Sequence, residues 1–175
     1  MADIIKGETI VVDDWVVVRL AEGETAANVV LPEGKAIVPL SVWQQRRTEL
    51  SKRSALGVWL ADTEGAELIA EDLKHFQLVA VDFPKFVNGR GYSTAALLRT
   101  RYGYRGELRA IGDVLRDQMF YLARVGFDAF AVRSDRSIEK ALSAFNDYSA
   151  TYQGAADDVR PLFQRVTRAS HAVAN

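Results

Sequence analysis

Leu78-Val79-Ala80-Val81-Asp82-Phe83 is the stretch on which the fold reading turns. It is too short for an independent amphipathic helix and lacks the alternation of a strand with one wet face. Such a run reads as a strand covered on both faces, the pattern of a parallel sheet. The pattern recurs on either side. Leu56-Gly57-Val58-Trp59-Leu60 precedes it, and Gly106-Glu107-Leu108-Arg109-Ala110-Ile111 and Phe127 to Val132 follow it. Strand starts recur every 20–28 residues, and the segments between read as helices over 65–73, 93–102, 113–124 and 135–145. Four consecutive βα units predict an α/β fold with a parallel sheet, either half of a (β/α)8 barrel or a doubly wound sheet. Spacing leaves both open.

Towards the N-terminus the pattern changes. Thr9 to Val12 and Trp15 to Val18 are β-branched and aromatic runs around the turn pair Asp13-Asp14, which predicts short N-terminal β-strands in a hairpin. Residues 21–35 are acidic and punctuated by Pro32-Glu33-Gly34, a loop. Ile37 to Leu40 is a short apolar run, after which Ser41 is placed to cap a helix from Val42 to Ser51. A length of 175 residues suits one domain. Its parts are a hairpin, loop and helix over 1–54, the βα core over 55–146, and a tail over 147–175 with a short helix near Val159 to Arg168.

Composition narrows the chemistry. At 49% hydrophobic and 26% charged, this is an ordinary globular chain. No stretch approaches the ~18 apolar residues of a membrane span. The first residues lack the basic-then-apolar order of a secretory signal, so a cytoplasmic protein without membrane contact is expected. With no cysteine, there is no disulfide, thiolate metal site, iron–sulfur cluster or catalytic thiol. Two histidines, His75 and His171, give no basis for a zinc site, and no metal or cofactor is expected. The isolated chain should be colourless.

The net charge of −1 hides an asymmetry: residues 1–84 carry −6, residues 85–140 carry +5, and the rest is neutral. Nine of the eleven cations in the middle block are arginine, the side chain that grips carboxylates and oxyanions with a planar fork. That block predicts a face for a small anion or an acidic protein surface. Nucleic acid is not expected, because the chain is mildly acidic overall and has no interleaved aromatic–basic motif.

Ligands of parallel sheets bind at the carboxyl ends of the strands. That rule selects the loops after Asp82, after Gly112 and after Val132. Asn88-Gly89-Arg90-Gly91-Tyr92-Ser93 reads as an anion cradle: Gly89 and Gly91 allow left-handed backbone, Arg90 supplies a fork, and Ser93 opens a helix. Without a third glycine or a lysine of the phosphate-loop kind, it is no dinucleotide or nucleotide fingerprint. Lys85 and Tyr92 belong to the same ligand-binding set. Asp113 and Asp117 share one face of the next helix, Asp113 as its N-cap, with Gln118 beside them. Asp82, at the end of a buried strand, needs a cation or several hydrogen bonds, and Lys85, Arg90 or Arg109 is placed to serve. Alternation sets Arg109 on the opposite face from Leu108 and Ala110, and Asp82 is its expected partner. The acid/base candidates are Asp82 and Asp117. There is no Ser-His-Asp constellation.

Several of these segments together resemble one bacterial family. They are Asp82-Phe83-Pro84-Lys85-Phe86, Gly89-Arg90-Gly91-Tyr92-Ser93, Leu97-Leu98-Arg99, the run from Gly106 to Gln118, and Arg124-Val125-Gly126-Phe127-Asp128-Ala129-Phe130. The family is the domain-of-unknown-function family nine hundred and thirty-four, whose usual label is an oxidoreductase of sulfite reduction. The resemblance covers nearly the whole chain and is most specific from 82 to 130. It implies a role in sulfur assimilation and brings no established catalytic residues. Its motif positions coincide with Asp82, Lys85, Arg90, Tyr92, Ser93, Arg109, Asp113, Asp117 and Gln118. A sulfite reductase proper is much larger and carries siroheme and an iron–sulfur cluster, which a chain without cysteine does not ligate.

Two functions are therefore expected in parallel. One is an accessory or binding protein of assimilatory sulfite reduction, its arginine-rich loop face engaging an anion or a sulfite reductase. The other is a small α/β enzyme acting on an anionic small molecule, with an Asp acid/base and the Arg/Gly cradle. Exposed sheet edges also predict a homodimer.

Overall fold

The computed structural model describes residues 2–85, 89–147, 151, 153–161 and 164. The helix expected near 159–168 falls largely outside these, as do Phe86, Val87, Asn88 and His171. Eight strands form one sheet: β1 (Asp3–Lys6), β2 (Thr9–Val12), β3 (Val16–Val17), β4 (Ala36–Pro39), β5 (Leu56–Leu60), β6 (Leu78–Phe83), β7 (Glu107–Gly112) and β8 (Ala129–Phe130). Their order across the sheet is β2-β1-β8-β7-β6-β5-β4-β3. From β3 to β8 every neighbouring pair is parallel. β1 runs antiparallel to both β2 and β8. The four expected core strands are present and parallel. The last is short, although Asp128 and Ala131 extend its ladder by donating to the Leu108 and Ala110 carbonyls.

Six parallel strands keep their sequence order without reversal, and this separates the two architectures. A doubly wound sheet turns back at a switch point, and this one does not. With right-handed crossovers, unreversed order sends every connection to the same face. These connections are α1 (Leu40–Leu50), a 3-10 run (Ala66–His75), α2 (Arg90–Thr100) and α3 (Arg116–Arg124), with α4 (Ile138–Leu142) following β8. The result is a curled half-barrel. Between sheet and helices lies the main core, where Val38, Val58, Val79, Val81, Leu108 and Phe130 belong to one apolar cluster with Trp43, Ile69, Leu98 and Leu122. The inner face carries a smaller cluster, Ile37, Leu78, Ala80 and Ile111, flanked by Trp15, Val17 and Trp59.

The N-terminal hairpin differs from the expected one. It joins β1 to β2 around Gly7, which takes φ +58, and pairs Lys6 with Thr9. Asp13-Asp14 is not a hairpin turn. It begins a link from β2, at one edge of the sheet, to β3, at the other. Four residue steps from Val12 to Val16 reach at most about 14 Å. Eight flat strands would separate those edges by about 34 Å at ~4.8 Å per spacing. The link is possible only because the sheet curls until its edges approach. Asp13 N–H donates to Ala2 O (2.8 Å) and Val16 N–H to Lys35 O (3.0 Å), fixing the link at both ends. The local signal misled because an Asp pair reads as a turn from its neighbours alone, whereas Val16 and Val17 pair in parallel with Ala36 and Ile37. No described helix is long and apolar enough to cross a membrane.

Candidate functional site

Alternation along β6 and β7 turns Asp82, Glu107 and Arg109 towards the inner face. Arg109 is 1% exposed and Asp82 8%. Each therefore needs a counter-charge, but they do not supply each other's. The register sets Arg109 against Ala80 and Asp82 against Ile111, which is about 6.6 Å further along the strand. Arg109 Nη1 instead donates to Asp13 Oδ2 (2.8 Å) and its Nε to Glu107 Oε1 (2.8 Å), with Nη2 lying 2.6 Å from the same Glu107 oxygen. Lys6 Nζ reaches the other Glu107 oxygen at 2.8 Å. That bond is the main cause of the Lys6 ammonium titrating above its ordinary value.

Asp82 takes its cation from Arg19, whose Nη2 donates to Oδ1 at 2.7 Å and Nη1 to Oδ2 at 3.5 Å. The Arg19 guanidinium lies over the Trp59 indole, 5.0 Å from the ring centroid. The indole is fixed by its own Nε1–H, which donates to Val18 O at 2.9 Å. Beside them, at the carboxyl ends of β3, β4 and β5, a hollow of about 320 Å³ is lined by Arg19, Leu20, Pro39, Ser41, Trp59 and Glu64. Sequence reading missed Arg19 and Trp59. The one available signal was a lone arginine closing the apolar run Trp15 to Val18.

Asp113 follows β7 and is not the cap of α3. Its carboxylate accepts from Arg133 Nη1 at 2.7 Å, and Arg133 also forks onto Asp135. These bonds, the Asp135 one first, hold the guanidinium protonated above its usual range. The cap is Leu115, just ahead of Arg116, and its N–H donates to Gln118 Oε1 (2.9 Å). Gln118 Nε2 also donates to the Tyr92 hydroxyl at 3.2 Å. Burial raises the Tyr92 phenol above its ordinary pKa, with this bond opposing. Tyr92 packs on Phe83 and Tyr121. Tyr92 and Gln118 thus join α2 to α3.

The glycine segment also differs from its reading. α2 starts at Arg90, so Ser93 lies inside the helix rather than at its cap. Neither Gly89 nor Gly91 takes positive φ. A Cβ on Gly91 would meet Phe83 Cζ at 2.6 Å, so this glycine serves close packing of α2 on β6. Lys85 and Arg90 are exposed. Asp117 is exposed in the first turn of α3 and lines a second hollow, of about 300 Å³, with Arg116, Arg136, Ser137 and Lys140. Asp117 thus lines a hollow separate from the one beside Arg19, the cation that Asp82 holds.

No curated protein and no solved structure matches this chain. A family model does, described as a bacterial protein of unknown function (DUF934), over residues 57–163. That span runs from β5 through β8 and α4, covers more than half of the chain, and contains Asp82, Arg109 and the whole arginine-rich block, so the chain belongs to this bacterial family.

Proposed function

We propose that this protein is an accessory binding protein of assimilatory sulfite reduction, docking an acidic surface of a sulfite reductase against the loop face at the carboxyl ends of β7 and β8. The observation that carries this reading is the hollow between α3 and α4, lined by Arg116, Arg136 and Lys140 together with Asp117. Arg116 is braced by Asp147 at 2.7 Å and by the Lys140 carbonyl at 3.2 Å. Among the described residues, Arg136 pairs with Asp135 at 3.6 Å. Cations so placed steer an acidic partner and set its orientation more than they add raw affinity. Two further facts support binding over catalysis. The chain has no cysteine to ligate a redox cluster. Asp82, the candidate base at the mouth, is bridged to Arg19.

The test is capture of native sulfite reductase by the tagged full-length protein at low ionic strength. Capture should fade with added salt and be lost in Arg136→Glu/Lys140→Glu. It should survive Asp82→Asn. Absence of the reductase from the eluate, or its retention by the charge-reversed variant, would remove this function.

A further inference from the structure

We propose that the hollow beside Arg19 and Trp59 binds a compact oxyanion that carries one proton. It stands apart from the α3–α4 face and does not depend on docking there.

Arg19 is a pre-organised fork. Trp59 supports its plane from one side and Asp82 holds its edge. A guanidinium has five N–H donors. Two face Asp82, and the others meet no acceptor among the described residues. A fork fixed in this way loses little freedom on binding, and its paired donors match two oxygens of one anion. Leu20, Pro39 and Trp59 supply apolar wall, which limits competition from water. The volume, about 320 Å³, is at the small end of ligand sites.

Glu64 sets the class of anion. It lines the same hollow, and its Oε2 accepts from Ala61 N–H at 2.7 Å. Oε1 meets no donor among the described residues. A fully deprotonated anion would bring like charge against that oxygen. An anion that retains one hydroxyl donates it to Glu64 while its other oxygens take the Arg19 fork. Ser41 adds a hydroxyl on the wall. Hydrogenphosphate and hydrogensulfite have this chemistry, and sulfate does not.

The experiment titrates full-length protein with phosphate, sulfite and sulfate in turn, slightly below neutral pH and at constant ionic strength. The indole N–H resonance of Trp59, assigned with Trp59→Phe, reports binding. Phosphate and sulfite should each give a saturable shift, and sulfate should bind at least about tenfold more weakly, a difference of ~1.4 kcal/mol. Arg19→Lys keeps the charge but loses the fork and should weaken phosphate by a similar factor. Ser41→Ala, which leaves the Asp82 pair intact, should weaken it by a smaller one. Glu64→Gln should abolish the discrimination against sulfate. No saturable shift with any of the three anions would overturn the proposal, as would unchanged affinity in both Arg19→Lys and Ser41→Ala, or intact discrimination in Glu64→Gln. Arg136→Glu/Lys140→Glu should leave the titration unchanged, so loss of docking and loss of this site are read separately.

Discussion

Replacing Arg109 by methionine should destabilise the protein by about 3–5 kcal/mol, the usual consequence of removing one member of a buried ion pair. The structure says where the penalty falls. Methionine retains much of the side-chain volume, so little is charged to a cavity. Glu107 keeps Lys6 at 2.8 Å. Asp13 is left with the Trp15 N–H at 3.1 Å as its side-chain partner, on a carboxylate only 12% exposed. The orphan is therefore Asp13. Asp13→Asn in the Arg109→Met background removes the stranded charge while its amide oxygen still accepts from Trp15. It should recover about 1–3 kcal/mol, a coupling typical of residues in one network. Urea unfolding followed by tryptophan fluorescence, with equal m-values across the set, measures all four corners of the cycle. Arg90→Ala, an exposed change on α2, should stay within about 0.5 kcal/mol. If Arg109→Met costs under 1 kcal/mol, or the two substitutions simply add, the inner-face network does not hold the link to the sheet.

Two further outcomes follow from particular atoms. Gly112 takes φ +93, and a Cβ there would lie 2.5 Å from the Phe83 carbonyl, a backbone atom that cannot yield; Gly112→Ala should cost at least about 2 kcal/mol and a clearly lower unfolding temperature checks it. Tyr104 is buried, its hydroxyl donates to Phe76 O at 3.1 Å, and burial raises its pKa far above the ordinary value. Because the folded state holds that proton longer than the unfolded chain, its contribution is full below about pH 10 and is lost as pH rises beyond. Stability measured from pH 8 to 11 should fall more steeply for wild type than for Tyr104→Phe, which itself costs about 1 kcal/mol at neutral pH; parallel curves would contradict this.

The parallel strands were legible because each is a short apolar run between helical segments. β5 and β6 begin and end where their sequences change character. The curl was not, since it appears only when β2 and β3 are known to sit at opposite edges. Neither run carries that information: Thr9–Val12 and Val16–Val17 are both β-branched, and choosing partners for them depends on the β1 and β4 edges available in the assembled sheet. The same limit applies to the glycines. Gly89 and Gly91 read as a cradle by composition, whereas the Phe83 ring against Gly91 is a tertiary contact.

For the inner face, chemistry in the sequence identified the need and topology chose the partner. A buried Arg109 called for a carboxylate, and a buried Asp82 for a cation or several hydrogen bonds. One short segment supplies a counter-charge to each, Asp13 to Arg109 alongside Glu107 and Arg19 to Asp82. That segment lies outside the family-matched span of 57–163, while the two buried charges lie inside it. The half-barrel core is thus electrostatically incomplete by itself. Without residues 13–19, Asp82 loses its Arg19 partner and Arg109 keeps Glu107, a carboxylate already shared with Lys6. The segment from Asp13 to Arg19 consequently does more than join two edges: it supplies counter-charge to the inner face, and through Arg19 it lines a hollow that Trp59 also borders.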